Sequence, residues 1–294
     1  MSTIKPLQGA FTAIITPFTS GRVDDKKLKE QIEFQIAGGI NGLVPVGTTG
    51  ESPTLDFDEH FHVIAETVRI AAGRVPVIAG VGGNATPEAI KLHQFAKSVG
   101  ATAGLSVNPY YNKPNQEGLY RHFMAISEKC DLPIVLYNIP GRCGINMSPA
   151  TVARLAKSAN VVAIKEAAGS CDQVSEIRQL CDLPILSGDD SLTLPFMSVG
   201  AVGVVSVVSN IIPGEIARMC VLALKQDYAA ARQIHDKYFG LVKSLFLDGN
   251  PGGIKHAMKS LGRDCAEVRL PVAPVSESAA AEIDAQLKKC GLLH

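Results

Sequence analysis

The feature of this sequence that most restricts its fold is an alternation of short apolar, β-branched runs with longer stretches in which apolar residues recur at helical spacing. This alternation is typical of parallel βαβ units. Most of the runs are apolar on both faces, as expected for strands that face helices outside and a packed barrel inside. The sequence predicts eight strands, at Phe11–Thr16, Gly42–Gly47, Pro76–Val81, Ala103–Asn108, Pro133–Ile139, Val161–Glu166, Pro184–Gly188 and Ala201–Val207. Eight such units favour closure, so we predict an α/β fold of the (β/α)8 TIM-barrel type.

Helix start signals fall between these strands. Asp24, Asp56, Thr86 and Ser148 each stand where an N-cap is expected, and Pro213 opens an eighth helix. We therefore expect a catalytic barrel domain over residues 1–226. Residues 227–294 lack a strand pattern and predict a helical appendage that packs on the barrel, with two or three helices that include 228–246 and 252–261.

Composition favours small-molecule chemistry. The 294 residues are 46% hydrophobic, and 28 basic residues balance 28 acidic ones, so no strong field favours nucleic acid or an anionic membrane. We see neither a signal peptide nor a membrane span and expect a soluble, cytoplasmic protein. Seven cysteines without a Cys-x-x-Cys pair, and seven histidines without acidic partners at strand ends, predict neither a disulfide framework nor a metal site.

Barrel enzymes place their chemistry where the strands end, and Lys165 stands at the end of the sixth predicted strand. A surface ion pair with Glu166 is one interpretation. The other is a desolvated amine that attacks a carbonyl, and its strand-end position favours this one. Tyr137 ends the neighbouring strand and could transfer protons, or it could cap the barrel. Arg142, in the following loop, could bind a carboxylate or remain a solvated charge.

Two further strand ends carry polar groups. The turn after strand two, Gly47–Ser52, could bind a carboxylate through the hydroxyls of Thr48 and Thr49 and through free backbone amides. The same residues are also typical of an ordinary βα turn. After strand four, adjacent Tyr110 and Tyr111 should point apart, one toward the barrel mouth and the other toward a neighbouring subunit.

Together these residues resemble the family of pyruvate-dependent class I aldolases and lyases, which includes the N-acetylneuraminate lyases. The resemblance covers almost the whole chain and rests on 47–51 (GTTGE), 137–140 (YNIP) and 164–166 (IKE). Residues 109–118 and Arg142 resemble the dipicolinate-synthase branch in particular. Membership implies condensation of pyruvate with L-aspartate 4-semialdehyde to 4-hydroxy-tetrahydrodipicolinate, on the diaminopimelate route to lysine, without a cofactor.

The resemblance also assigns roles to individual residues. Lys165 would form a Schiff base with pyruvate, and Thr49 would hold the pyruvate carboxylate. Tyr137 would move protons in a relay with Thr48 and with Tyr111 of an adjoining subunit. The remaining assignments are Arg142 for the semialdehyde carboxylate and Gly188 and Val205 for the lining of the pyruvate pocket.

Members of this family are usually tetramers of two tight dimers, and some bind lysine as an inhibitor. The positions in this chain that match the lysine site are Ser52, His60, Asn84, Glu88 and Tyr110. Phe57 and Pro53 depart from the pattern of lysine-sensitive enzymes, so the sequence leaves sensitivity open. A further departure at 250–253, where a second proline is usual, is expected to lie outside the site.

Two alternatives remain. One keeps the Schiff base and changes the aldehyde, as in a lyase for N-acetylneuraminate or a 2-keto-3-deoxy sugar acid; Arg142 and Tyr111 argue against it. The other is a catalytically silent barrel that binds a small ligand or a protein, against which the intact set of Lys165, Tyr137 and Thr48 argues.

Overall fold

The structure is a computed structural model that describes residues 7–294. Residues 1–6 of the predicted barrel domain lie outside that range. The barrel strands are β1 Gly9–Ala13, β4 Gly42–Val44, β5 Ile78–Gly80, β6 Ala103–Val107, β7 Ile134–Asn138, β8 Val161–Glu166, β9 Ile185–Ser187 and β10 Gly203–Ser206. These eight parallel strands form one sheet in the order β4-β1-β10-β9-β8-β7-β6-β5, and a bridge between Leu43 and Val77 joins its two ends. The (β/α)8 prediction is confirmed.

Helices follow the strands around the outside of the barrel. They are α1 Asp25–Ala37, α2 Phe57–Ala71, α3 Thr86–Ser98, α4 Gln116–Lys129, α5 Pro140–Cys143, α6 Pro149–Leu155, α7 Cys171–Leu180, α8 Thr193–Ser198 and α9 Pro213–Leu224. The side chains of Asp24, Asp56 and Ser148 accept hydrogen bonds from the first turns of α1, α2 and α6, as predicted. Thr86 is instead the first residue of α3, after Ala85. Across residues 7–294, every helix is too short or too polar to cross a bilayer.

The strands divide the apolar residues into two clusters. Side chains such as Phe11, Val135 and Leu186 fill the barrel interior. A larger cluster lies between the strands and the helices. Because successive residues of a strand face opposite sides, each buried strand supplies both clusters, which explains why the runs are apolar throughout.

Several strands are shorter than predicted, and one hairpin was not predicted. The strand at Gly42 ends at Val44 because the chain turns at Val46, whose φ of 48° is incompatible with a strand. Two short antiparallel strands, β2 Phe18–Thr19 and β3 Arg22–Val23, lie between β1 and α1. They contain too few residues to show an alternating pattern.

Three helices make up the C-terminal region: α10 Tyr228–Ser244, α11 Gly252–Ser260 and α12 Glu277–Lys289. Helix α10 packs against α8 and α9, and α12 packs against α10 and α11. A buried ion pair joins α11 to the barrel, since Lys255 Nζ lies 2.6 Å from Glu51 Oε1 and both side chains are almost fully buried. The second Glu51 oxygen accepts from the Arg269 backbone amide at 3.0 Å. The appendage therefore holds the turn after β4.

Candidate active site

Lys165 and Tyr137 lie side by side at the carboxyl end of the barrel. They are paired residues on the neighbouring strands β8 and β7. Lys165 is 7% exposed, and its Nζ is 4.1 Å from the centroid of the Tyr137 ring. Both side chains face the barrel interior, which is the face that Ala163 and Val135 share.

The surroundings of Lys165 make its amine a nucleophile near neutral pH. Burial lowers its pKa from 10.5 to about 7; Asp190 acts in the opposite direction, and the positive charge of Arg142 lowers the pKa further. Only a neutral amine can attack a carbonyl carbon, so this lysine suits Schiff-base chemistry.

Glu166 does not form a surface ion pair with Lys165, so that alternative interpretation is wrong. It is fully buried on the opposite face of β8, where its carboxylate accepts from Asn138 Nδ2 at 3.1 Å and Gln173 Nε2 at 3.0 Å. The backbone amide of Ala168 donates to it at 2.7 Å. Because Asn138 and Glu166 are themselves paired residues, their hydrogen bond fixes the strand ends that carry Tyr137 and Lys165.

Tyr137 is held as a neutral phenol. Burial raises its pKa to about 12, and the Arg142 charge and the Thr48 hydroxyl act against this rise. At neutral pH the phenol can therefore donate its proton and accept another in the same step, which is what a proton relay requires.

A cavity of about 460 Å³ opens above Lys165. Six of the predicted site residues line it: Thr48, Thr49, Tyr137, Arg142, Lys165 and Gly188. Gly188 passes so close to the lysine that a Cβ there would lie 3.0 Å from Lys165 Cε and 2.7 Å from Ala167 Cβ. Any side chain at this position would push the lysine aside, which explains the glycine.

Two predicted site residues do not line this cavity. Val205 is buried in the barrel interior, and Val207 lines the cavity in its place. Tyr111 is 89% exposed at the outer surface with a φ of 70°, while Tyr110 is turned inward and only 37% exposed. The two tyrosines thus point apart.

The C-terminal region contributes part of the site, which the sequence analysis missed. Asn250 lines the cavity and donates from Nδ2 to the Thr49 hydroxyl at 2.9 Å, so the expectation that residues 250–253 lie outside the site is wrong. Val242, Lys243 and Phe246 of the same region also line it. A contact between residues about two hundred positions apart leaves no mark on local sequence patterns. Asp189, which also lines the cavity, was missed as well, although an acidic residue directly after a predicted strand is a visible signal.

A second cavity, of about 360 Å³, lies beside α2 and α3. Four of the five residues matched to a lysine site line it, namely Ser52, His60, Glu88 and Tyr110, together with Pro53 and Phe57. The fifth, Asn84, is not among its lining residues; its backbone carbonyl accepts from Asn112 Nδ2 at 2.8 Å. A smaller cavity of about 230 Å³ lies between the two, since it shares Tyr110 with one and Tyr137 with the other.

Comparison with known proteins agrees with this geometry. The model of the dihydrodipicolinate synthetase family matches residues 6–290. The 4-hydroxy-tetrahydrodipicolinate synthase of Geotalea daltonii is 51% identical over 92% of this chain and 94% of its own length.

Two similar proteins have been solved with a bound ligand. The dihydrodipicolinate synthase of Acinetobacter baumannii complexed with pyruvate is 42% identical, with a TM-score of 0.95 over 98% of this chain and 100% of that chain. The enzyme of Cyanidioschyzon merolae with lysine bound is 39% identical, with a TM-score of 0.95 over the same shares. By fold, site geometry and sequence, this chain belongs to the dihydrodipicolinate synthetase family.

Proposed function

We propose that this chain condenses pyruvate with L-aspartate 4-semialdehyde to give 4-hydroxy-tetrahydrodipicolinate, a step of diaminopimelate and lysine biosynthesis. The observation that carries the proposal is the buried Lys165 amine, with a pKa of about 7, beside Tyr137. Relatives that share about half of its residues over nearly its full length have this activity by name.

In the proposed reaction the neutral Lys165 amine attacks the ketone of pyruvate, and loss of water gives a protonated Schiff base. Thr49, oriented by Asn250, would hold the carboxylate of pyruvate. Loss of a methyl proton gives an enamine that adds to the aldehyde. Tyr137, which has Thr48 beside it, would carry the protons of these steps, and the amine of the second substrate would then displace Lys165 as the ring closes.

Arg142 would select the second substrate. It lies exposed at the mouth of the cavity, where its guanidinium can form two parallel hydrogen bonds with the semialdehyde carboxylate. A sugar-derived aldehyde has no carboxylate at the corresponding place. The geometry therefore favours the semialdehyde over the substrates of a sugar acid lyase.

We further propose that the working form is a homotetramer of two tight dimers. Tyr111, which is 89% exposed and does not line its own cavity, is available to complete the proton relay in an adjoining subunit. The second cavity, which Tyr110 lines, is the proposed site for inhibition by lysine, by analogy with the lysine-bound relative. Phe57, where a histidine is common, leaves fewer polar partners for a bound lysine.

The experiment that tests the proposal compares aldehydes. With pyruvate fixed, turnover of L-aspartate 4-semialdehyde is measured beside that of sugar-derived aldehydes, for the native chain and for Arg142→Gln. We expect a strong preference for the semialdehyde, and a loss of that preference in the variant through a higher KM. A native preference for the sugars would contradict the proposal.

A further inference from the structure

Glu51 and Lys255 form a buried ion pair outside the Lys165 cavity. Lys255 Nζ lies 2.6 Å from Glu51 Oε1, and the two side chains are 0% and 1% exposed. Neither residue lines the cavity above Lys165 or the two cavities beside it. The proposed reaction makes no use of these two charges, although charged side chains rarely lie at such depth.

Glu51 belongs to the segment that carries two of the proposed site residues. The threonine turn, residues 47–51, contains Thr48 and Thr49 and ends at Glu51, whose backbone amide donates to the Thr48 carbonyl at 3.1 Å. The φ of Glu51 is 55°, in the left-handed region that glycine alone adopts readily. Another residue keeps such a backbone only where its surroundings impose it.

Contacts on two sides hold the threonine turn in this conformation. On the side of the barrel, the Thr16 hydroxyl donates to the Gly50 carbonyl at 2.7 Å. On the side of the C-terminal region, the Glu51 carboxylate accepts from Lys255 Nζ at 2.6 Å and from the Arg269 backbone amide at 3.0 Å. The backbone of the turn is therefore fixed between the barrel and the C-terminal region.

The ammonium group of Lys255 has a well-defined position of its own. Its Nζ also donates to the Glu267 carbonyl at 2.8 Å and lies 4.2 Å from the centroid of the Phe18 ring. Two oxygens and the face of an aromatic ring thus surround the charge. Lys255 can therefore hold the Glu51 carboxylate at one place.

The same segment contacts the threonine turn at a second point. Lys255 lies in the first turn of α11, and Asn250, two residues before that helix, donates to the Thr49 hydroxyl at 2.9 Å. Residues 250–255 thus contact the turn at Thr49 and at Glu51. The C-terminal region controls both a side chain and the backbone of this part of the site.

Stability alone does not account for the two charges. Removal of an ion pair from water costs about as much free energy as the attraction returns, and an apolar pair of similar volume is often equally stable. A charged hydrogen bond, however, fixes distance and direction more strictly than an apolar contact does. Catalysis needs this precision, since a displacement of about 1 Å can lower a rate about 100-fold.

We propose that Glu51 and Lys255 are positioning residues of the active site. Through the backbone of the threonine turn they set the places of the Thr48 and Thr49 hydroxyls, and with them pyruvate binding and proton transfer. The inference rests on the proposed function, in which Thr49 holds the pyruvate carboxylate and Thr48 belongs to the proton relay.

The double variant Glu51→Gln/Lys255→Met separates positioning from stability. Each single change leaves one buried charge without a partner, whereas the double variant removes both charges and keeps the volume of the two side chains. We expect it to regain most of the urea midpoint that Lys255→Met loses. It should nevertheless lose about 100-fold in kcat/KM for pyruvate, because the charged hydrogen bond that directs the turn is gone.

The pattern of kinetic constants distinguishes positioning from a general weakening of the fold. In the double variant the KM for pyruvate should rise and kcat should fall, because Thr49 and Thr48 both move. The KM for the semialdehyde should stay native, because Arg142 lies in α5, after another strand. All variants are assayed at a temperature at which far-UV circular dichroism shows them folded.

Leu287→Ala is the matched control for stability. Leu287 is fully buried in α12, which packs against α10 and α11, so its truncation weakens the C-terminal region through a cavity. This variant should keep the native kcat and KM. If the double variant does not regain its urea midpoint, Leu287→Ala supplies the comparison at reduced stability.

A double variant with the native kcat and KM would overturn the inference, and so would an equal loss of kcat/KM in Leu287→Ala. Borohydride reduction with pyruvate tests the proposed function separately, because a native chain without an adduct would overturn that function and the positioning role together. A native adduct combined with native kinetics in the double variant would overturn the positioning role alone. We expect a native adduct, and slower adduct formation in the double variant.

Discussion

The pH at which Lys165 loses its proton determines how much nucleophile the free protein offers. With a pKa of about 7, about half of the Lys165 amines are neutral at pH 7, whereas a lysine at the ordinary pKa of 10.5 would be neutral in about one molecule in 3,000. Burial thus supplies roughly a 1,500-fold gain in reactive amine. Between pH 8 and pH 6 the neutral fraction should fall about tenfold, and kcat/KM for pyruvate should fall with it.

Few other buried groups titrate in this pH range and could produce the same acid limb in the kcat/KM profile. The pKa of Tyr137 is about 12, and burial lowers those of His93 and His122 to about 4, so all three titrate outside the range. The assay is kcat/KM for pyruvate at saturating semialdehyde from pH 5.5 to 9, because this ratio reports groups of the free enzyme. An acid limb with a midpoint at or above about pH 9 would refute the reasoning that burial lowers the pKa of Lys165.

Three further predictions concern neighbouring groups. Tyr137→Phe should still form the pyruvate adduct but lose about 100- to 10,000-fold in kcat, because the general acid–base group is gone; full turnover in steady-state assays would contradict its role. Lys255→Met should lower the free energy of unfolding by about 3–5 kcal/mol, because it leaves a buried carboxylate unpaired, whereas the exposed Lys259→Met on the same helix should change it by less than about 0.5 kcal/mol; equal urea midpoints would count against the ion pair. Asn250→Ala should raise the KM for pyruvate by about fivefold, the equivalent of one lost hydrogen bond of about 1 kcal/mol that orients Thr49, and an unchanged KM would exclude that function.

The sequence predicts the barrel well because its signal is local and repeated. A strand that is buried on both faces must be apolar throughout. The helix that follows it needs an N-cap, so Asp24 and Asp56 can be recognised as caps from the sequence alone. The positions of the strand ends were predicted less accurately. The turn that leads into Gly47–Glu51 already begins within the apolar run, because Val46 adopts a left-handed backbone conformation that the residue type does not reveal.

The residues of the active site likewise include some that the sequence predicts and some that it does not. Lys165 and Tyr137 follow from their places at neighbouring strand ends, which any parallel barrel brings together. Asn250 does not, because its place in the site depends on a contact with Thr49, about two hundred positions away in the sequence. Tertiary packing, and not local pattern, determines this contact.

The central claim is that Lys165 forms a Schiff base with pyruvate. Reduction of the chain with borohydride in the presence of pyruvate, followed by peptide mass spectrometry, tests it most directly. We predict one adduct, located on Lys165 and absent from Lys165→Ala. No adduct in the native chain, or an adduct that persists in Lys165→Ala, would contradict the account.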